Sequence, residues 1–136
     1  VLVLKGPRRL LLLRGDRVLR DYAVSLGKVP SGPKRRAGDG RTPEGRYVLD
    51  WRTDQSRYHR SIHVSYPNPS DVEFARRAGI EPGDGVMIHG LPADAHWVGE
   101  DQVDLDWTNG CIAVSDDEMD EIWELVDDGT PIEIRP

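Results

Sequence analysis

Apolar residues recur along this chain in short runs broken by glycine, proline and aspartate, the punctuation of a β-rich protein. Val1-Leu2-Val3-Leu4 stops at the turn signal Lys5-Gly6-Pro7. Leu10 to Leu13 stops at Gly15-Asp16, and Val18 to Val24 follows at once. Three close runs with glycine-centred turns predict an antiparallel meander. Further runs predict strands at Arg46–Trp51, at Ser61–Tyr66 (stopped by Pro67-Asn68-Pro69), at Val86–Ile88 with His89 at its end, at Cys111–Val114, and at Pro131–Ile134. Two helices interrupt this pattern. Ser70-Asp71-Val72-Glu73 matches a capping box and predicts a helix near 71–78 that stops at Gly79. Ser115-Asp116-Asp117-Glu118 repeats the signature. Met119, Ile122, Trp123 and Val126 then recur at helical spacing, and Gly129 is the expected stop. The fold class expected is mainly β: an antiparallel sandwich or flattened barrel with two short helices, in a single domain over residues 1–136.

Composition is compatible with that picture. The 136 residues are 38% hydrophobic and 31% charged, as in an ordinary globular domain. No run approaches the roughly 18 apolar residues of a membrane span. The net charge of −6 argues against a nucleic-acid partner, which requires a basic footprint. Positive charge gathers early (Arg8, Arg9, Arg14, Arg17, Arg20, then Lys34 to Arg36) and negative charge late, from Glu100 to Asp128. Solvated surface is the default reading of both. From Gly27 to Gly45 the chain turns rich in glycine and proline. Strand-like sequence resumes directly afterwards, so this stretch reads as a long ordered loop, a frequent carrier of function.

One cysteine, Cys111, rules out a disulfide within the chain and a cysteine-rich zinc module. It is either a small buried hydrophobe or a reactive thiol. A thiol attacks as thiolate, and a neighbouring imidazole is the usual base. His89 closes one predicted strand and Cys111 opens another, so adjacent strands would bring the two together. Gly110 would let a substrate carbonyl approach, with the Gly110 and Cys111 amides facing an oxyanion. Thr108 would donate a hydroxyl there or order the turn. The competing reading, a buried Cys111 beside Ile112 and Val114 with a core histidine, has equal standing on these signals.

The pattern His89, then 18 residues (90–107, the first of them Gly90), then Thr108-Asn109-Gly110-Cys111 resembles the L,D-transpeptidase (YkuD-type) catalytic domain. That family is marked by a His and a downstream Ser/Thr-His-Gly-Cys. Gly32-Pro33-Lys34, Gly38-Asp39-Gly40 and Thr42-Pro43-Glu44-Gly45 resemble the family's loop, and Gly129 to Ile134 its last strand. Two positions depart: Asn109 stands where the family has His, and Ala113 where it often has Arg. The resemblance implies a cysteine acyltransferase acting on peptidoglycan stem peptides. Cys111 would be the nucleophile and His89 the base, with the Gly90 carbonyl orienting the imidazole. Gly110, Thr108 and Asn109 would serve substrate or oxyanion; His63 or Tyr66, read from the residues alone, is a candidate to line the substrate cleft. It implies no cofactor and no metal, a monomer, and a periplasmic or envelope location with a leader removed before Val1. The departures leave hydrolysis of cross-links or protein anchors, or a non-catalytic wall-binding module, as alternatives.

Other candidates are weaker. His59 and His63 would share one strand face with Ser61 and Ser65. With His89 or His96 they would make a zinc site, but a polar strand face is the default. Lys34, Arg35, Arg36 and Arg41 are read as solvated loop charge before carboxylate ligands. Trp51, Trp97, Trp107 and Trp123 are read as packing, with Trp107 singled out for its place before the Thr-Asn-Gly-Cys element. The acidic run Asp101, Asp104, Asp106 would raise the thiol pKa if it lay close.

Overall fold

The computed structural model describes residues 1–93 and 105–136. The described strands are β1 (Leu2–Leu4), β2 (Arg9–Arg14), β3 (Arg17–Ala23), β4 (Gly45–Ser56), β5 (His59–Val64), β6 (Met87–His89), β7 (Ile112–Ala113) and β8 (Thr130–Arg135). Helix α1 (Pro69–Ala78) follows β5, and α2 (Asp116–Leu125) follows β7. The strands form one curled sheet in the order β3-β2-β1-β8-β4-β5-β6-β7. The mainly β expectation with two helices therefore holds, and the flattened barrel describes it better than the sandwich. The sheet is mixed, however: β1 runs parallel to β8, and β6 runs parallel to β7. Both pairs are separated in the chain by more than the dozen or so residues that a parallel pairing requires, whereas the hairpin spacing of the sequence speaks only for antiparallel neighbours.

Alternation decides which side faces the core. Leu10 and Leu12 of β2, Tyr47 and Leu49 of β4, and Ile132 and Ile134 of β8 are buried two residues apart, as a pleat requires. Val3, Ile62, Val64, Ile88 and Ile112 extend this layer, and α2 covers it with Met119 and Ile122. Such burial contributes about 25 cal/mol per Å² of apolar surface.

Helix α2 starts as read: Ser115 is the N-cap, and Glu118 reaches back to complete the capping box. It ends at Leu125 with Val126 as C-cap, not at Gly129, which instead turns the chain into β8 with φ 93°. Helix α1 ends on a left-handed Gly79, as expected. Its start differs from the reading. The capping pair is Asn68 with Asp71, and Pro69 opens the helix. Asn is as good an N-cap as Ser, and proline at the first helical position loses no bond, so the earlier box wins.

A sheet of this kind has two exposed edges, here β3 and β7, and the chain leaving β3 joins them. Ser25 and Ala113 exchange both backbone hydrogen bonds, at 3.0 and 2.9 Å. The Thr108 amide donates to Leu26 O and the Lys28 amide to Thr108 O, at 3.2 and 3.0 Å. Closure removes open edges and sets residues 108–111 against the start of the glycine/proline-rich loop. The approach there is close. A Cβ on Gly27 would overlap the Gly40 carbonyl oxygen and lie 3.1 Å from Gly110 Cα.

Lys5 fastens the same loop from below. Its buried ammonium donates to Gly32 O (2.8 Å), Thr42 O (2.7 Å) and Glu44 Oε2 (3.0 Å). The loop is thus ordered, as its sequence suggested, by charge-assisted bonds to its own carbonyls. We expect Gly27→Ala to destabilise the domain by about 2 kcal/mol or more. Gly6→Ala, whose Cβ would meet nothing closer than 3.9 Å, is expected to stay within about 0.5 kcal/mol of the parent. Urea denaturation of the two variants checks the contrast.

Candidate active site

Strand β6 is only three residues long, but its register fixes the site. His89 pairs with Ala113 and Ile88 with Ile112 in the parallel β6–β7 ladder. Cys111 precedes β7 by one residue, level with Met87, and alternation turns Met87, His89, Cys111 and Ala113 toward one face. The expected adjacency of His89 and Cys111 is therefore present at the level of strands. The thiol's hydrogen bonds go elsewhere in the resting state. Sγ accepts from the Met87 amide at 3.4 Å and donates to Gly85 O at 3.5 Å.

The imidazole is buried, 2% exposed. The Tyr58 ring stacks on it at 4.3 Å and 20°, and Trp107 lies 5.7 Å away at 58°. Nδ1 lies 2.6 Å from Gly90 O. A carbonyl only accepts, so Nδ1 carries the proton and Nε2 holds the lone pair. Burial drives the His89 pKa down to about 4, against a smaller upward pull from the Gly90 carbonyl. Burial also pushes the Cys111 thiol up, with the Met87 amide and the Lys34 charge pulling the other way. The resting pair is thus neutral thiol and neutral imidazole rather than thiolate and imidazolium.

Gly90 owes its position to α2. Asp116 Oδ1 accepts the Leu91 amide at 2.9 Å. A Cβ on Gly90 would come within 2.5 Å of that oxygen and 3.2 Å of Tyr58 O. A side chain there would push the Gly90 carbonyl off the imidazole.

Thr108 orders the turn. Its hydroxyl donates to Cys111 O at 2.7 Å and accepts from the Gly110 amide at 3.1 Å. The Gly110 amide, read from sequence as facing an oxyanion, is therefore committed to Thr108 in this state. Gly110 adopts φ 136°, and Arg41 O would lie 2.7 Å from a Cβ there. Only glycine fits that combination of backbone and space.

A cleft of about 400 Å³ opens over the thiol, lined by Lys34, Gly38, Asp84, Asn109, Gly110 and Cys111 among others. His63 and Tyr66, read as cleft residues, do not line it. His63 Nδ1 pairs with Asp50 at 2.6 Å and its ring stacks on Trp51 at 4.7 Å. Tyr66 is buried and donates to Pro82 O at 2.8 Å. His59 turns to Asp120 of α2 at 2.6 Å, so it shares no partner with His63. Among the described residues no cluster of three or more His, Cys, Asp or Glu is placed to hold a metal. His96, Trp97, Asp101 and Asp104 lie outside the described residues. Asp106 accepts from Arg8 through both carboxylate oxygens (2.7 to 3.2 Å) and from the Leu26 amide at 3.0 Å. It is not among the influences on the thiol.

Two participants escaped the sequence reading, and a third was given the wrong default. Lys34, read as solvated charge ahead of carboxylate ligand, is 4% exposed and faces the cleft. Its partner Asp39 lies in the Gly-Asp-Gly element of the same loop, so the signal was available. Tyr58 stands in the tight turn between β4 and β5, and no pattern marked it as a cover for His89. Asp116 read only as a helix-start residue.

These features can be set beside known proteins. The family described as the YkuD L,D-transpeptidase catalytic domain matches residues 1–134. YafK from Escherichia coli K12, an L,D-transpeptidase by name, is 35% identical over 111 residues, covering 80% of this chain and 37% of YafK. This chain thus spans little more than a third of that curated relative. The crystal structure of the helical cell shape determining protein Pgp2 from Campylobacter jejuni superposes with a TM-score of 0.75 at 26% identity. That match covers 98% of this chain and 46% of Pgp2. An L,D-transpeptidase from Mycobacterium smegmatis shares the fold at a TM-score of 0.65 and 16% identity, over 99% of this chain and 57% of its own. The match over residues 1–134 covers strands, glycine-rich loop, His89 and Cys111 alike, and the chain belongs to the L,D-transpeptidase (YkuD) catalytic domain family.

Proposed function

We propose that this domain is a cysteine-dependent L,D-transpeptidase acting on peptidoglycan stem peptides in the cell envelope. The observation that carries the reading is the Nδ1–Gly90 O bond at 2.6 Å. It leaves Nε2 as the basic nitrogen of a neutral imidazole on the face that bears Cys111. Substrate entry would displace the weak Sγ–Gly85 contact and let His89 take the thiol proton, since catalytic hydrogen bonds often tighten only in the substrate complex. Sγ then bonds to the scissile carbonyl carbon, and the amide C–N bond breaks. The proton passes from His89 to the leaving amine, and a thioester on Cys111 remains. An acceptor amine attacks the thioester and gives its proton, through His89, back to the thiol. The Gly90 carbonyl takes the orienting role that a carboxylate has in other triads. The likeness to Pgp2 extends the proposal to cell-wall remodelling that affects cell shape.

A second reading, hydrolysis with water as acceptor, is favoured by one observation. Asn109 lines the cleft where the family pattern has His. Ala113, the other departure, is buried opposite Ser25 and has no share in the cleft.

Three results follow from this reading. Cys111→Ala is expected to lower kcat/KM on a defined disaccharide tetrapeptide by about a thousandfold or more, and to abolish a carbapenem adduct seen by intact-protein mass spectrometry. Wild-type activity with an unmodified, unlabelled thiol would overturn the assignment. His89 remains a neutral base well below the usual histidine range. The acid limb of kcat/KM is therefore expected near pH 4, and a limb near 6.5 would contradict it. The thiol pKa is raised above its ordinary 9.0, so the thiolate fraction grows only at higher pH. Iodoacetamide alkylation of free enzyme is expected to keep accelerating beyond pH 9.0, and a plateau reached at neutral pH would refute it. Chromatography of the muropeptide products separates transfer from hydrolysis.

A further inference from the structure

Strand β4 carries a bulge at Asp50 and Trp51. Leu49 pairs with Val64 and Arg52 with Ile62, so Asp50 and Trp51 together oppose the single residue His63. Leu49 is buried in the core, and strict alternation would turn Trp51 the same way. The extra residue instead leaves Asp50 and Trp51 on the outer face, both against His63. Asp50 Oδ1 lies 2.6 Å from His63 Nδ1, and the indole stacks on the imidazole at 4.7 Å and 12°. The stack covers one face of the indole, yet Trp51 remains 45% exposed. Arg52 then turns to α2, where it donates to Trp123 O and Val126 O. Bulges of this kind re-aim a side chain, often beside a working site.

The register ties this platform to the thiol. His63 pairs with Met87 across β5 and β6, and Met87 lies level with Cys111 across β6 and β7. Directly opposed residues point to one face. Trp51, His63, Met87 and Cys111 therefore form a row across β4, β5, β6 and the start of β7. His63 stands outside the cleft, but the row leads from it to Cys111. Neighbouring strands lie about 4.8 Å apart, which sets Trp51 about 14 Å from Cys111 along the sheet. In a tetrapeptide stem that loses its last residue, three residues separate the scissile carbonyl from the glycan. Extended, they span about 10–11 Å. With its carbonyl at Sγ, a stem running along the row brings the first sugar ring to Trp51.

We propose that Trp51, with Asp50 and His63, is a glycan subsite that holds the amino-sugar strand to which the donor stem is attached. The inference rests on the acyl-transfer reading above and adds a second anchor for its substrate. A pyranose has a face of C–H bonds and a rim of hydroxyl and amide groups. The open indole face packs against the first, and the exposed Asp50 carboxylate accepts from the second. His63 is a positioning residue: it backs the indole and fixes Asp50. Other occupants fit less well. A carboxylate beside the ring disfavours an anionic partner. A protein interface covers about 800 Å² on each side, and one indole supplies about 250 Å² at most.

The test compares a disaccharide tetrapeptide donor with the same tetrapeptide lacking sugar. Cys111 acylation is followed by intact-protein mass spectrometry. Wild-type enzyme is expected to favour the glycan-bearing donor by about tenfold in kcat/KM. Trp51→Ala is expected to erase most of that ratio, raising KM for the glycan-bearing donor and leaving the bare peptide nearly unchanged. Trp51→Phe, which keeps a smaller ring, is expected to retain part of it. A second arm needs no turnover. Peptide-free glycan strands are titrated into the isotope-labelled domain, and the Trp51 indole N–H signal, assigned by its loss in Trp51→Phe, is expected to shift while that of Trp123 stays. Equal wild-type rates on the two donors, or a Trp51 signal unmoved by glycan, overturn the proposal. A Trp51→Ala enzyme slowed alike on both donors also overturns it, and would make the indole a brace for β4. A Trp51 signal that shifts with protein concentration alone would make a second copy the occupant and overturns it too. Failure of Cys111 to acylate with either donor sinks the transfer reading instead, and the indole titration then still confirms or overturns the subsite.

Discussion

The paired hydrogen bonds between Ser25 and Ala113 join the two edges of an eight-stranded sheet, and the arrangement around Cys111 depends on that closure. Without it, the short strands β6 and β7 would form a frayed edge. Two- and three-residue strands contribute few ladder bonds of their own, so their register is set by what flanks them. The closing segment carries Gly27 against Gly40 and Gly110, where backbones approach too closely for any side chain. Asp106 adds a second tie. It bridges Arg8 after β1 to the Leu26 amide and so fixes the chain just ahead of the Thr-Asn-Gly-Cys element. Residues 108–111 are thereby held from both sides, and the thiol is positioned by backbone more than by side-chain packing.

Burial sets the chemistry of the pair. It disfavours charge on both groups, raising the thiol and lowering the imidazole. A permanently ionised pair would be costly in such a site. The Tyr58 ring and the Gly90 carbonyl keep the imidazole in one tautomer and one orientation. In the proposed reaction, a positioned base and a positioned nucleophile would contribute to rate through proximity, with little reorganisation.

The glycine/proline-rich loop joins the two ends of this design. Lys5 secures it to the sheet through its carbonyls, and Asp39 organises its tip around Lys34. Both lysines are buried and both are compensated, one by Glu44 and one by Asp39. Removing one partner of such a pair strands the other charge. The loop therefore behaves as part of the scaffold, despite a composition that suggests flexibility.

Much of this was legible in the order of residues. Alternating apolar positions gave the strands, Ser115 with Glu118 gave the start of α2, and Gly79 the end of α1. The spacing from His89 to Thr108-Asn109-Gly110-Cys111 marked the pair proposed to react, and the bond from His89 to the Gly90 carbonyl lies between neighbours in sequence. These are local features, governed by backbone periodicity and by the few bonds that helix ends require. Other features depended on contacts between residues far apart in sequence. The parallel pairings β1–β8 and β6–β7, the Ser25–Ala113 closure, the Tyr58 cover over His89 and the burial of Lys34 are of that kind. His63 and Tyr66 were misplaced for the same reason. A strand pattern says which residues share a face, but only the curl of the sheet decides which part of a face meets the cleft.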